Sequence, residues 1–232
     1  MDDYIKKNVE TTLENVRQAA ERAGTDANDV TLVGVTKTID LERMRHFLDT
    51  GQINLGENKV QEFCEKYDRF GKGPIWHFIG HLQTNKVKYI IDKASIIHSV
   101  DSLKLALEIN LRAAKAGIVM PALIETNISG EATKFGLSPK DALSLANDID
   151  GMSNIRLSGL MTVAPYVDKP EENRIVFKKM KNLFVDIAEK ISDNKHMRFL
   201  SMGMTRDYVT AVEEGANIIR VGAGIFGRLP VN

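Results

Sequence analysis

The sequence predicts a single (β/α)8 barrel preceded by one extra helix. Eight short apolar runs alternate with helix-patterned stretches along the 232 residues, and no linker-like or low-complexity stretch interrupts them. Strict strand–helix alternation implies a parallel sheet. Eight such units in a chain of this length fit a closed barrel better than an open, doubly wound sheet. Residues 1–232 are therefore read as one domain.

The leading helix covers 3–23, where Ile5, Val9, Leu13, Val16 and Ala20 recur at spacings of three and four and Gly24 is the stop. A strand at 32–36 precedes a helix over 40–49 that halts at Gly51. Residues 53–58 form a short strand before a helix over 59–67, and 75–79 a strand before a helix over 85–91. The strand at 95–99 runs into Asp101 and Ser102, an N-cap for the helix that continues to Gly117. After the strand at 120–126, Ser138, Pro139 and Asp141 open a helix with a cap, a first-turn proline and an early acidic residue. A strand at 155–160 leads to a long helix over 171–191, and a strand at 198–202 to a helix over 206–214 closed by Gly215. The last strand, 218–221, ends in Gly222-Ala-Gly224 and a short helical turn at 225–227.

Charge and cysteine content narrow the function classes. Lysine plus arginine equals aspartate plus glutamate at 31 each, so no basic surplus exists to meet nucleic acid or an anionic membrane. Cys64, the one cysteine, cannot form an internal disulfide and reads as a small core residue. The first residues are polar and charged, unlike a secretory signal, and no apolar run reaches membrane-spanning length. A soluble, cytoplasmic, monomeric protein is expected. His77, His81 and His98 lack metal-ligand spacing, so no metal is expected. His77 reads as a hydrogen-bonded interior residue, His81 as a rim residue, and His46 and His196 as surface positions. The lysine runs at 86–93 and 178–181 read as solvated helix faces.

Barrels of this kind carry their sites at the C-terminal ends of the strands. Those ends are Lys37, Glu57 with Asn58, Gly80 with His81, Ser99 with Asp101, Thr126 with Asn127, Met161 with Thr162, Ser201 to Met204, and Arg220 with Gly222. Lys37 is either the polar end of a core strand or an amine desolvated enough to react with a carbonyl. Ser201, Gly203, Thr205, Gly222 and Gly224 either serve tight turns or supply hydroxyls and open N–H groups to a phosphate. Alternation sends Arg220 to the face opposite Ile219 and Val221, where it needs an anion, an acceptor or a structural ion-pair partner. Amine, phosphate cup and inward arginine together suit a ligand with both an aldehyde and a phosphate. Pyridoxal 5′-phosphate meets that description; a phosphorylated sugar on a Schiff-base aldolase needs the same first two parts.

The motifs Val35-Thr-Lys37, Leu55-Gly-Glu-Asn58, Trp76-His-Phe-Ile-Gly-His-Leu-Gln-Thr-Asn-Lys86, Gly159-Leu-Met-Thr162, Leu200-Ser-Met-Gly-Met204, Ile219-Arg-Val-Gly222 and Ile225-Phe-Gly227 resemble the pyridoxal-phosphate homeostasis protein family. The resemblance covers nearly the whole chain. It implies the TIM barrel of the amino-terminal domain of bacterial alanine racemase, in agreement with the alternation. Lys37 matches the lysine that binds pyridoxal phosphate as a Schiff base, and Arg220 the arginine facing the pyridine nitrogen. Ser201, Met202 and Gly203, and Gly222, Ala223 and Gly224, match the phosphate-holding loops. Asn58 matches a residue beside the cofactor, and Met161 and Thr162 would lie near its ring. Ala223 stands where relatives often carry a hydroxyl, and Thr205-Arg206 replaces a more usual serine followed by an acidic or polar residue.

The function implied is binding, buffering or delivery of intracellular pyridoxal phosphate, with pyridoxal-phosphate-dependent apoenzymes as partners, and no catalytic residue. A racemase of limited scope is the alternative. An arginine can only donate to the pyridine nitrogen, which weakens the ring as an electron sink. Racemases with that arrangement add a tyrosine from a C-terminal β domain, which is not expected in this chain; Tyr166 is a weak substitute.

Overall fold

The computed structural model describes residues 3–131, 134–192 and 194–227. Apolar residues in short extended runs make the eight strands: β1 (Thr31–Val35), β2 (Asn54–Glu57), β3 (Ile75–Phe78), β4 (Ile96–Val100), β5 (Met120–Thr126), β6 (Ile155–Thr162), β7 (Phe199–Met204) and β8 (Ile218–Val221). Each pairs in parallel with the next, and β8 returns to β1, with Thr31 opposite Ile218 and Val33 opposite Arg220. The sheet is closed, as the alternation predicted. Its helices are α1 (Asp3–Ala23), α2 (Leu41–Asp49), α3 (Val60–Phe70), α4 (Leu103–Ala116), α5 (Pro139–Asp150), α6 (Arg174–Ala188), α7 (Tyr208–Glu213) and α8 (Ala223–Phe226).

Two apolar layers follow from the period-two alternation of the strands. The main core fills the space between strands and helices; Leu32, Phe47, Leu55, Trp76, Ile97 and Val221 belong to it. Gly34 faces this layer so closely that a Cβ would stand 2.7 Å from the Phe47 ring. A second, smaller cluster of Ile96, Leu123 and Met161, with Phe199 against it, is separate from that core and lies on the opposite, inward face of the strands. On β1 the alternation turns Val33, Val35 and then Lys37 toward the barrel axis.

Helix α1 buries Ile5, Val9, Val16, Ala19 and Ala20. Thr12 completes this face, because Leu13, which the spacing also assigned to it, is 37% exposed. The helix is tied to the end of the barrel by polar bonds: Tyr4 Oη donates to Phe226 O at 3.3 Å and Asn8 Nδ2 to Ile225 O at 3.0 Å.

Three elements depart from the predicted ones. The third connection is a 3-10 helix, Thr84–Tyr89, in place of an α-helix over 85–91. Its buried Val87 and Ile90 are three apart, the repeat that eclipses side chains on a 3-10 helix. Helix 171–191 divides into a 3-10 turn, Pro170–Asn173, followed by α6. Arg206 lies ahead of α7, since Asp207 accepts from the Met204 N–H at 2.7 Å and from Asn173 Nδ2 at 2.9 Å, holding the preceding turn.

Candidate functional site

Lys37 emerges one residue beyond the buried Thr36, with its side chain exposed at the barrel mouth. Its neighbours are gripped from outside the barrel by α3. Lys66 Nζ donates to Thr36 O at 2.6 Å and to Glu57 Oε1 at 2.6 Å, and the Thr36 hydroxyl donates to the same carboxylate oxygen. Glu57 is fully buried on the helix side of β2, and desolvation raises its pKa while the Lys66 and Thr36 hydrogen bonds oppose the rise. On the other flank Thr38 takes a left-handed backbone, φ 61°, and its N–H donates to Glu62 Oε2 at 2.9 Å. A non-glycine residue in that region costs about 1–2 kcal/mol. The sequence reading placed Glu57 at the site end of β2; alternation turns it outward and leaves Asn58 as that strand's contribution to the mouth.

Arg220 points inward and is 4% exposed. Its Nη1 donates to Ser201 Oγ at 2.6 Å and its Nη2 to Thr162 O at 2.8 Å. Burial pushes its pKa down to about 10, opposed by the charges of Glu125 and Asp207, so it stays protonated at neutral pH. Ser201 continues to His98 Nδ1 at 3.1 Å, His98 Nε2 to His77 Nδ1 at 2.9 Å, and His77 Nε2 to Asn54 Oδ1 at 3.0 Å. Burial pushes His77 down to about 3 and His98 well below the usual imidazole value, the latter with help from His77 and Arg220. Burial thus favours the neutral form of both rings.

The loops after β7 and β8 meet directly: Thr205 Oγ1 accepts from the Gly224 N–H at 3.1 Å. Gly222, the residue before α8, has no side chain to cap that turn, so Thr205 caps it from the neighbouring loop. An added Cβ at Gly224 would lie 3.0 Å from Thr205 Cγ2, tighter than ordinary contact, whereas one at Gly222 would meet Val35 O at 3.4 Å, an ordinary contact. Ala223 opens α8 between them. Gly203 takes φ 89° beside Tyr208 and Ala211.

The remaining candidate residues are placed as follows. The Ser201 hydroxyl lies buried inside β7, committed to Arg220 and His98. Met202 packs outward in the main core, so only its backbone faces the loop. Met161 lies in the small interior cluster. Thr162 presents its carbonyl to Arg220 while its hydroxyl donates to Thr126 O at 2.7 Å. Asn58 Oδ1 is buried without a partner among the described residues. Tyr166 is 79% exposed and stacks on Arg206, whose guanidinium lies 4.4 Å from the ring centroid.

The alanine racemase N-terminal domain family matches residues 8–230 of this chain. The pyridoxal phosphate homeostasis protein of Aquifex aeolicus is 43% identical over 216 residues, covering 93% of this chain and 94% of that protein. The chain belongs to the pyridoxal phosphate homeostasis protein family. A crystal structure of an unknown protein from Bifidobacterium adolescentis superposes with a TM-score of 0.89 at 33% identity, covering 97% of this chain and 95% of that one. PipY of Synechococcus elongatus, solved with pyridoxal phosphate bound, gives a TM-score of 0.80 at 27% identity over 92% of this chain and the whole of that one.

In this pyridoxal phosphate homeostasis family member, one residue of the barrel mouth escaped the sequence reading. Glu125, the last residue but one of β5, lies on the same alternating face as Leu123 and is 7% exposed. Burial pushes its carboxyl up to about 7, with the charge of Asp101 adding to the rise and Arg220 opposing it. A lone acid two positions after an inward leucine was the available signal. At the rim nearby, His81 Nδ1 lies 3.3 Å from Asp101 Oδ2, and its ring stacks on Phe135 at 4.3 Å. Among the described residues no cluster of three or more histidines, cysteines or acids is arranged to hold a metal, and no helix is long and apolar enough to cross a membrane.

Proposed function

We propose that this chain binds pyridoxal 5′-phosphate in the barrel mouth and holds it covalently through Lys37, as a cytoplasmic monomer that buffers the cofactor and passes it to apoenzymes. The observation carrying this reading is that Lys37 and Arg220 leave adjacent, paired strands on the same interior face, one as an exposed amine and the other as a buried donor. The family's name, and PipY solved with the cofactor, support the same ligand.

The residues fit such a ligand. Lys37 supplies a flexible primary amine to an aldehyde. Arg220 supplies remaining N–H donors to a ring nitrogen. Gly203, Gly222 and Ala223 supply backbone N–H groups and Thr205 a hydroxyl to a phosphate, with Gly224 holding the Thr205 oxygen through its own N–H, and Asn58 carries a buried oxygen without a donor among the described residues. When bound, pyridoxal phosphate supplies an aldehyde that condenses with an amine and a ring that can accept electrons. Arg220 would donate a hydrogen bond to the ring nitrogen rather than a proton, because a guanidinium donates without giving up its proton. Tyr166, the tyrosine nearest a strand's C-terminal end, is exposed and held by Arg206. These features favour a holder of the cofactor over a racemase.

The test is reduction with borohydride after incubation with pyridoxal phosphate, followed by peptide mass spectrometry. A pyridoxyl phosphate on Lys37 is expected. A label confined to other lysines, or none, would refute the reading.

A further inference from the structure

We infer that His98 and His77 are positioning residues for Arg220, acting through Ser201 in a chain whose protons all run one way. The chain crosses the barrel interior from β8 to β2: Arg220 Nη1, Ser201 Oγ, His98, His77 and Asn54 Oδ1, with separations of 2.6, 3.1, 2.9 and 3.0 Å. Its functional meaning rests on the proposal that Arg220 faces the pyridine nitrogen.

The direction follows from donor and acceptor counts. A guanidinium has no acceptor, so Ser201 Oγ accepts from Arg220. Ser201 then has one proton to place, and His98 Nδ1 is its hydrogen-bonded neighbour. If Ser201 donates, His98 Nδ1 is bare and His98 Nε2 carries the proton. That proton goes to a bare His77 Nδ1, and the His77 Nε2 proton goes to Asn54 Oδ1. Every proton has an acceptor. Reversed, His98 would donate to Ser201, the serine proton would be left with none in a fully buried position, and His77 would need the Asn54 amide turned round. An unsatisfied buried donor is costly, so the first arrangement is set.

Two consequences follow for Arg220. Thr162 O fixes one terminal nitrogen, and only the histidine chain fixes the other. A serine that is itself donating onward is a stronger acceptor, since chained hydrogen bonds polarise one another. The protons also point away from Arg220, so these buried imidazoles hold the guanidinium without offering it, or the site above it, a proton.

The experiment uses the full chain. Long-range proton–nitrogen correlation spectra of the cofactor-free protein should show both His77 and His98 protonated at Nε2 and bare at Nδ1 throughout pH 5–8. A proton on either Nδ1, or an imidazolium, would overturn the chain. Pyridoxal phosphate titrations then separate positioning from packing. His98→Leu should weaken binding about tenfold, whereas His98→Gln, which can accept from Ser201 and donate to His77, should stay within about threefold of wild type. Equal losses in the two variants would overturn the positioning role, and the tautomer measurement stands even if His98→Leu fails to fold. If the wild-type chain does not take up pyridoxal phosphate at Lys37, the proposed function and the positioning role both fall, while the tautomers are unaffected. Nδ1 protons in a chain that binds the cofactor would sink the histidine inference alone.

Discussion

Lys66 Nζ lies 2.6 Å from the carbonyl oxygen of Thr36, the residue that delivers Lys37 to the barrel mouth. The same ammonium neutralises Glu57 at 2.6 Å, so one buried cation from α3 fixes the backbone before Lys37 and balances the charge behind it. Removing one partner of a buried pair leaves an uncompensated charge and typically costs about 3–5 kcal/mol. Lys66→Met should destabilise the protein by that amount in urea unfolding followed through Trp76, the single tryptophan. Adding Glu57→Gln, which discharges the orphaned acid, should recover about half of the loss. A double variant no more stable than Lys66→Met would refute this account of the pair.

Glu125 makes stability fall with rising pH across neutrality. Its folded value, about 7, lies above its ordinary value of 4.5, so the folded state holds the proton more tightly. The contribution is fully present below pH 4.5 and is lost as pH rises through 7, on the order of 3 kcal/mol in all. Glu125→Gln, permanently neutral, should flatten melting temperature between pH 5 and 8.5. An unchanged slope in that variant would assign the titration to another group.

The imidazoles act on the opposite limb. His77 is held at about 3 against an ordinary value of 6.5, so its stabilising effect is present above pH 6.5 and is lost as pH falls toward 3. His77→Gln should be less stable than wild type at pH 7 yet lose less on acidification to pH 4.5, measured by urea unfolding at both values.

Gly159 tolerates no side chain. It takes φ 153° at the register shift of β6, and a Cβ there would stand 1.8 Å from Phe199 O on β7. Gly159→Ala should cost at least about 3 kcal/mol, because backbone on both sides must part. A loss within about 0.5 kcal/mol of wild type, the usual range for a neutral surface change, would contradict that geometry.

Solvent deuterium should not enter the α-position of any amino acid in a broad panel incubated with the cofactor-loaded protein. Exchange that disappears in Lys37→Ala would establish racemase-type chemistry and identify a second proton carrier near the mouth.

Lys37 and Arg220 could be read from sequence because period-two alternation and strand ends are local properties. Eight strand–helix units likewise gave barrel closure without any knowledge of packing. Ser201 lies in the strand that the sequence predicts over 198–202, but its bonds to Arg220 and His98 are not legible there, because they depend on the register shift between β7 and β8. The Lys66 clamp had no sequence signature: α3 has to pack on β1 and β2 before Lys66, Glu57 and Thr36 meet. The order of the histidine chain depends on rings from β3 and β4 reaching β7 across the axis, which no strand pattern encodes.

Barrel closure also governs when this protein can exist. β1 finds one of its two neighbours only in β8, and α1 is sewn to α8 by Tyr4 and Asn8. During synthesis β1 therefore waits for β8, leaving an unpaired strand edge until that segment has been made. Such long-range pairing slows folding. A nascent chain stalled before β8 has no closed ring, and both β1 and β7 then end in an open edge.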